Sequence, residues 1–172
     1  MDFTAYKTLR NNIDELSDNL ETQHKKHMKC KAGCDLCCMD YSIFPVEFYS
    51  IVEALRERGD KPDFNTNKDE SSCIFLNNHK CEIYAERPII CRTHGLPLLY
   101  MNEDNGWELS ACELNFTEFD MEEFSEENTF PQDKFNSKLY LLNKEFIAKN
   151  QFSDYSEFDL IPIKELAKHI KT

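Results

Sequence analysis

The sequence predicts a mainly α domain with small β-hairpins, in which amphipathic helices pack around an irregular cysteine-rich metal-binding core. Three observations carry that expectation. Apolar residues recur at spacings of three and four near both ends of the chain, two short apolar stretches are each interrupted by polar turn residues, and four of the eight cysteines fall between Cys30 and Cys38. Helical periodicity, hairpin punctuation and clustered soft ligands each have a distinct physical meaning.

The 172 residues fit a single domain, 1–172, and 41% apolar content with 13 Phe and 7 Tyr suffices for a folded core. A formal charge of −12, without a stripe of clustered Lys and Arg, argues against nucleic acid as a partner. No apolar run approaches the roughly 20 residues needed to cross a bilayer, and the chain begins with Asp2 rather than a basic and apolar leader. The expectation is a soluble, cytoplasmic protein with no membrane partner. In that compartment thiols stay reduced, so eight cysteines point to metal rather than disulfides.

Taken in order, Phe3, Tyr6, Leu9, Ile13, Leu16 and Leu20 share one helical face and predict a helix over 3–26. His24 and His27 extend that face, more readily as core or core-edge residues than as ligands, since ligation also requires convergence. Pro45 opens a second helix with Phe48, Ile51, Val52 and Leu55 as its stripe, ending near Gly59. Asp60–Ser72 has no periodicity and reads as a solvated loop. Cys73–Tyr84 predicts a hairpin turning at Asn77, Asn78 and His79, and Leu98–Ala111 a second one turning near Glu103–Gly106. Asn115–Phe130 alternates acids with Phe116, Phe119, Phe124 and Phe130, the pattern of an ordinary surface helix, with a lid or a partner-docking segment as alternatives. Phe135, Leu139, Leu142 and Phe146 follow Pro131, and Leu166 and Ile170 follow Pro162, which predicts closing helices within 132–171.

The candidate metal ligands are Cys30, Cys34, Cys37, Cys38, Cys73, Cys81, Cys91 and Cys112. Spacings of two to four residues let one turn aim several sulphurs at a point, and Gly33 supplies the left-handed backbone such a turn requires. The first hairpin is expected to place Cys73 and Cys81 on neighbouring strands, with Pro88 opening a turn or short helix that returns Cys91 to them. Thiolates are soft ligands suited to an iron-sulphur cluster or Zn2+, and eight of them serve one or two sites. Bridging the adjacent Cys37 and Cys38 would close a strained eight-membered ring, which favours ligation over a disulfide. Arg87 and Arg92 flank Cys91 and are candidates to offset the negative charge of a thiolate site and to lower thiolate pKa values.

The run CKAGCDLCC, the later CIFLNNHKCEIYAERPIICRTHGLP and the trailing Cys112 resemble the CxxCxxCC, or YkgJ-type, cysteine cluster family. The most specific stretch is Cys81-x-Ile83-Tyr84-x-x-Arg87-Pro88-x-x-Cys91-Arg92. The resemblance spans about Cys30 to Cys112 and implies a zinc- or iron-chelating domain. In this chain Cys30 and Cys34 are separated by three residues, where the family name has two. One branch of the family includes a lysine methylase acting on flagellin; this chain has four Gly and no glycine-rich turn of the kind that forms an S-adenosylmethionine pocket.

Three functions fit these residues. The first is a cysteine-ligated metal-binding protein with a redox or structural role and a protein partner for its acidic, aromatic surface. The second is a metal-dependent enzyme of methylase-like or other modifying activity, with His94 or Tyr84 as acid, base or substrate contact. The third is storage or delivery of iron, zinc or copper(I).

Overall fold

In the computed structural model, which describes residues 1–59, 62–64 and 72–170, the N-terminal stripe forms α1, Thr4–Gln23. Its buried face of Tyr6, Leu9, Ile13 and Leu20, together with Phe3, packs on Phe135, Leu139 and Phe146. The helix stops at Gln23 rather than near Lys26, because His24 leaves helical geometry and its Nε2 lies 2.7 Å from the Asn128 carbonyl.

An irregular segment carrying the first cysteines leads to β1, Ser42–Ile43, and then to α2, Pro45–Arg58. Pro45 opens α2, and Gly59 closes it at φ 67°, a left-handed cap whose N–H bonds the Leu55 and Arg56 carbonyls. Phe48, Ile51 and Leu55 bury their stripe in a second core cluster with Phe75, Ile83 and Leu166. Most of the expected loop over Asp60–Ser72 lies outside the described residues.

The first hairpin is β2, Leu76–Asn77, and β3, Lys80–Cys81. Asn78 and His79 between them have φ of 46° and 60°, the pair of left-handed residues that a two-residue turn matched to strand twist demands. Ile89–Thr93 is α3, a short helix after Pro88. β4, Leu98–Met101, and β5, Trp107–Ser110, form the second hairpin, whose turn is organised by the Asn102 side chain accepting from the Asp104 and Gly106 amides. β6, Phe130–Pro131, adds to β4 in parallel, giving the strand order β5-β4-β6. The chain closes with α4, Gln132–Asn150, then β7, Ile161–Pro162, which pairs antiparallel with β1, and α5, Leu166–Ile170.

The described residues thus contain five α-helices and small sheets of two or three strands, a helix-rich mixed fold. None of the helices is long and apolar enough to cross a membrane among the described residues.

The segment 115–130 departs from the expected surface helix. Its one helical element is a short 3-10 turn, Met121–Glu123, while Phe116, Phe119 and Phe124 surround the His24 ring at centroid separations of 5.1, 5.6 and 6.1 Å. Their apolar area is satisfied by this aromatic cluster, so no amphipathic helix is needed to bury it. His24, 2% exposed, is accordingly a packed core residue, and His27 packs edge-on against Phe119 at 4.8 Å.

Candidate metal centre

The cysteine loop between α1 and β1 is fixed by long-range bonds rather than by regular structure. Local turns bring the Cys34 amide to the Lys31 carbonyl and the Cys38 amide to the Asp35 carbonyl, and Gly33 takes φ 93° inside the first of them. Asn115, 4% exposed, then anchors the start of the loop. Its Oδ1 accepts the Lys29 amide at 2.7 Å, its Nδ2 donates to the Gly95 carbonyl at 2.7 Å and reaches Cys30 Sγ at 3.3 Å, and its own amide bonds the Cys112 carbonyl. One residue, through its side chain and its own amide, thereby joins Cys30, Cys112 and the end of α3.

The far end of the loop is tied elsewhere. The Cys73 amide donates to the Cys38 carbonyl at 3.1 Å, and Met39 forms a bridge with Ser72. Cys81 lies on β3 opposite Leu76, whereas Cys73 precedes β2, so the two do not sit on neighbouring strands as expected. Cys73 instead enters through its pairing with the first cysteine loop, and Cys91 reaches the same apolar cluster from α3.

Electrostatics report the same neighbourhoods. Burial raises the Cys30 thiol; the Asn115 hydrogen bond opposes this, and Cys112, Cys34 and Cys37 raise it further. Burial pushes Cys91 far up, reinforced by Cys73, Cys81 and Cys37. A hydrogen bond from Cys37 holds Cys38 down and Cys37 correspondingly high, and Cys38 also feels Cys73, Cys81 and Cys91. Thus Cys30, Cys34 and Cys112 form one neighbourhood and Cys38, Cys73, Cys81 and Cys91 another, with Cys37 between them.

None of the eight cysteines is in a disulfide. Among the described residues no three His, Cys, Asp or Glu side chains already sit close enough together to hold a metal ion. The sulphurs are neighbours, not a closed ligand shell. Their chemistry suits a soft cation, and mutual elevation of thiol pKa values is what adjacent incipient thiolates experience without a compensating positive charge.

The two arginines separate in role. Arg87 stacks over the Tyr84 ring at 4.0 Å. Burial raises the Cys81 thiol, and the Ile83 backbone hydrogen bond and then Arg87 oppose that rise. Arg92 instead points into the protein: Nη1 meets both Asp14 carboxylate oxygens at 2.7 Å, Nε donates to the Arg87 carbonyl and Nη2 to the Ala85 carbonyl. Tyr84 is exposed beneath Arg87, while the half-buried His94 lies tilted against Tyr41 at a centroid separation of 5.1 Å, and burial lowers its pKa.

Residues 29–113, roughly half of the chain, match the CxxCxxCC family model, described as a putative zinc- or iron-chelating domain. This segment is a CxxCxxCC domain. All eight cysteines lie inside it. No curated protein and no solved structure matches the chain.

Two residues that shape the CxxCxxCC domain carry no motif signal. Asn115 is one. The other is Glu47, 3% exposed, whose Oε1 accepts the Ile89 amide at 2.9 Å and the Tyr6 hydroxyl at 3.3 Å, so it pins the start of α3 to α1 and α2. Its spacing of four from Ile51 places it on the apolar stripe of α2, which was its only trace in the sequence. It also borders a cavity of about 640 Å³ together with Phe44, Ile89, Gln132 and Tyr140.

Burial raises the Glu47 carboxyl from 4.5 to about 7, against the opposing hydrogen bonds and the Arg92 charge. Because the folded value exceeds the unfolded one, its contribution to stability is complete below about pH 4.5 and is lost as pH rises through 7, amounting to about 3 kcal/mol. Glu47→Gln keeps the acceptor and removes the titration. The variant is expected to match the parent at pH 5 and exceed it at pH 8 in denaturant midpoint. Identical pH profiles would show that Glu47 ionises as freely folded as unfolded.

Gly95 makes a second expectation. It has φ 91°, and a Cβ there would lie 2.7 Å from Cys30 Sγ and 3.2 Å from Asn115 Nδ2. Gly33 has a similar φ of 93° with nothing within 4 Å of the added carbon. Gly33→Ala is expected to cost only the backbone strain, about 1 kcal/mol, whereas Gly95→Ala adds displacement of Cys30 and loses more. Equal melting shifts in the two variants would show that the approach to Cys30 contributes nothing.

Proposed function

We propose that the protein is a cysteine-ligated metal-binding protein of a reducing, cytoplasmic compartment, carrying an iron-sulphur cluster or zinc in a redox or structural role. The observation that carries this reading is that all eight cysteines lie within the matched chelating segment and none is in a disulfide. Disulfides and inert buried thiols would need either paired sulphurs or isolated ones. Here the thiols are grouped and no two are joined in a disulfide.

The grouping favours two sites over one. Cys38, Cys73, Cys81 and Cys91 supply four thiolates to the first, with Arg87 beside Cys81 to moderate their charge. Cys30, Cys34 and Cys112 supply three to the second, with Cys37 adjoining both. Bound metal would hold together a loop, a hairpin and α3, so binding free energy becomes folding free energy. A cluster would add one-electron transfer, whereas zinc would confer stability alone.

Anaerobic purification followed by iron, sulphide and zinc analysis tests the reading. Visible absorption that bleaches on reduction, with iron and sulphide present, assigns the cluster; a colourless protein with stoichiometric zinc assigns the structural role. Protein that folds fully and takes up neither metal would defeat the proposal.

A further inference from the structure

The second hairpin turns an apolar face away from the body of the protein. In its register Leu99 pairs with Leu109 and Met101 with Trp107, and strand alternation sets these four side chains on one face. The opposite face carries Leu98, which packs into the core that α1 shares with α4. The quartet belongs to neither core cluster: Trp107 is 62% and Met101 45% exposed, and Leu99 and Leu109 are half-buried. A solvated face of an antiparallel sheet is ordinarily polar, and a contiguous exposed apolar patch marks an interaction site.

The charge around that face is one-sided. Between Arg92 and Lys134 the chain carries eleven Asp and Glu and no Lys or Arg, almost the entire net charge of −12. None of the eleven is in an ion pair among the described residues. Acids elsewhere find cations, as Glu86 finds Arg10 and Glu157 finds Lys144. Glu103 and Asp104 stand in the turn of the hairpin, Glu108 on β5 and Glu113 just beyond it, and all four are exposed. Uncompensated like charges repel one another, and a cationic partner relieves that repulsion.

We propose that the hairpin face of Leu99, Met101, Trp107 and Leu109 docks a segment of a partner protein in which Lys or Arg alternates with apolar residues. Trp and Met are enriched where interfaces bury an apolar surface, and complementary charge around such a surface steers the encounter and selects the partner. The carboxylates reject the other occupants that an apolar face admits. Nucleic acid and anionic lipid carry phosphate, and a second copy would bring its own carboxylates against these. The surface is independent of the cysteine centre, so it does not depend on which metal that centre takes.

Trp107 is the only tryptophan in the chain, so its fluorescence reports this face directly. The full chain is titrated with a short peptide of alternating Lys and Leu, and with two counterparts in which Glu replaces Lys or Ser replaces Leu. The Lys-Leu peptide is expected to shift the emission to the blue and shield it from acrylamide. Its affinity should fall about tenfold as NaCl rises from about 50 to 500 mM, and both counterparts should bind about tenfold more weakly than it does. Met101→Ser, a change at an exposed position, should weaken the Lys-Leu peptide severalfold without altering the circular dichroism. No blue shift with the Lys-Leu peptide, or equal binding of the Lys-Ser peptide, overturns the docking face; equal binding of the Glu-Leu peptide overturns the basic partner. The same blue shift on concentrating the protein alone, or on adding phosphatidylcholine vesicles, assigns the face to a second copy or to a lipid surface and overturns the proposal. Should Met101→Ser fold poorly, the peptide series on the parent protein decides unaided.

Discussion

Cys91→Ser is expected to remove one metal equivalent and Cys34→Ser another, with the double variant retaining none. Cys91 draws its electrostatic neighbours chiefly from Cys73 and Cys81, while Cys34 appears among those of Cys30. A serine hydroxyl is a poor substitute for a thiolate toward a soft cation, so each change should weaken its own site and spare the other. The stability effects should differ. Cys91 packs into the cluster of Phe48, Ile51, Phe75 and Ile83, which joins α2 to the first hairpin. Losing its metal uncouples these elements, for an expected cost of about 4 kcal/mol, or roughly 10 °C in Tm for a chain of this size. Cys34 sits in the loop near the surface, and its loss should cost less. Metal analysis beside thermal melts of the three variants checks both statements. If either single variant loses all metal, the eight cysteines share one centre and the division into two neighbourhoods is wrong; unchanged metal content in both removes these residues from the ligand set.

What the sequence revealed and what it concealed divide along contact range. α2 was legible from Pro45 to Gly59 because start, stripe and left-handed cap are all local chemistry. The turn at Asn78 and His79 was legible for the same reason. The cysteines themselves could be listed as ligands from type and spacing. Their grouping could not, since Cys73 is joined to Cys38 by one backbone hydrogen bond between segments that the linear spacing does not connect. Nor could Asn115, whose importance lies in simultaneous bonds to Lys29, Cys30 and Gly95. Phe116, Phe119 and Phe124 gave a misleading pattern: aromatic residues among acids suggested an amphipathic helix, but they satisfy one another and His24 without forming one. Local rules name the pieces, and only tertiary closure states which of them meet.

Arg92 shows the same limit and yields the other large effect. Its position beside Cys91 suggested a guanidinium for the metal's charge, whereas its side chain, 4% exposed, clamps α1 through Asp14, 78 residues away, and closes the turn before α3 through two carbonyls. Removing the cation leaves a carboxylate and two carbonyls without their donor, a loss of about 3 kcal/mol or more where the group is buried. Arg92→Leu should therefore lower the denaturation midpoint strongly, and Arg92→Lys should recover little, because an ammonium cannot reproduce donors diverging in three directions. Asp14→Asn should cost less than either, as Asp14 is partly exposed and the bonds to Ala85 and Arg87 persist. A charge-compensating role makes the opposite forecast: Lys would substitute well, and metal affinity would fall with little change in the stability of the metal-free chain. Denaturant melts of the three variants, each with and without metal, separate the two. The structure places Arg92 with the helices, so the metal-free chain should lose as much as the loaded one.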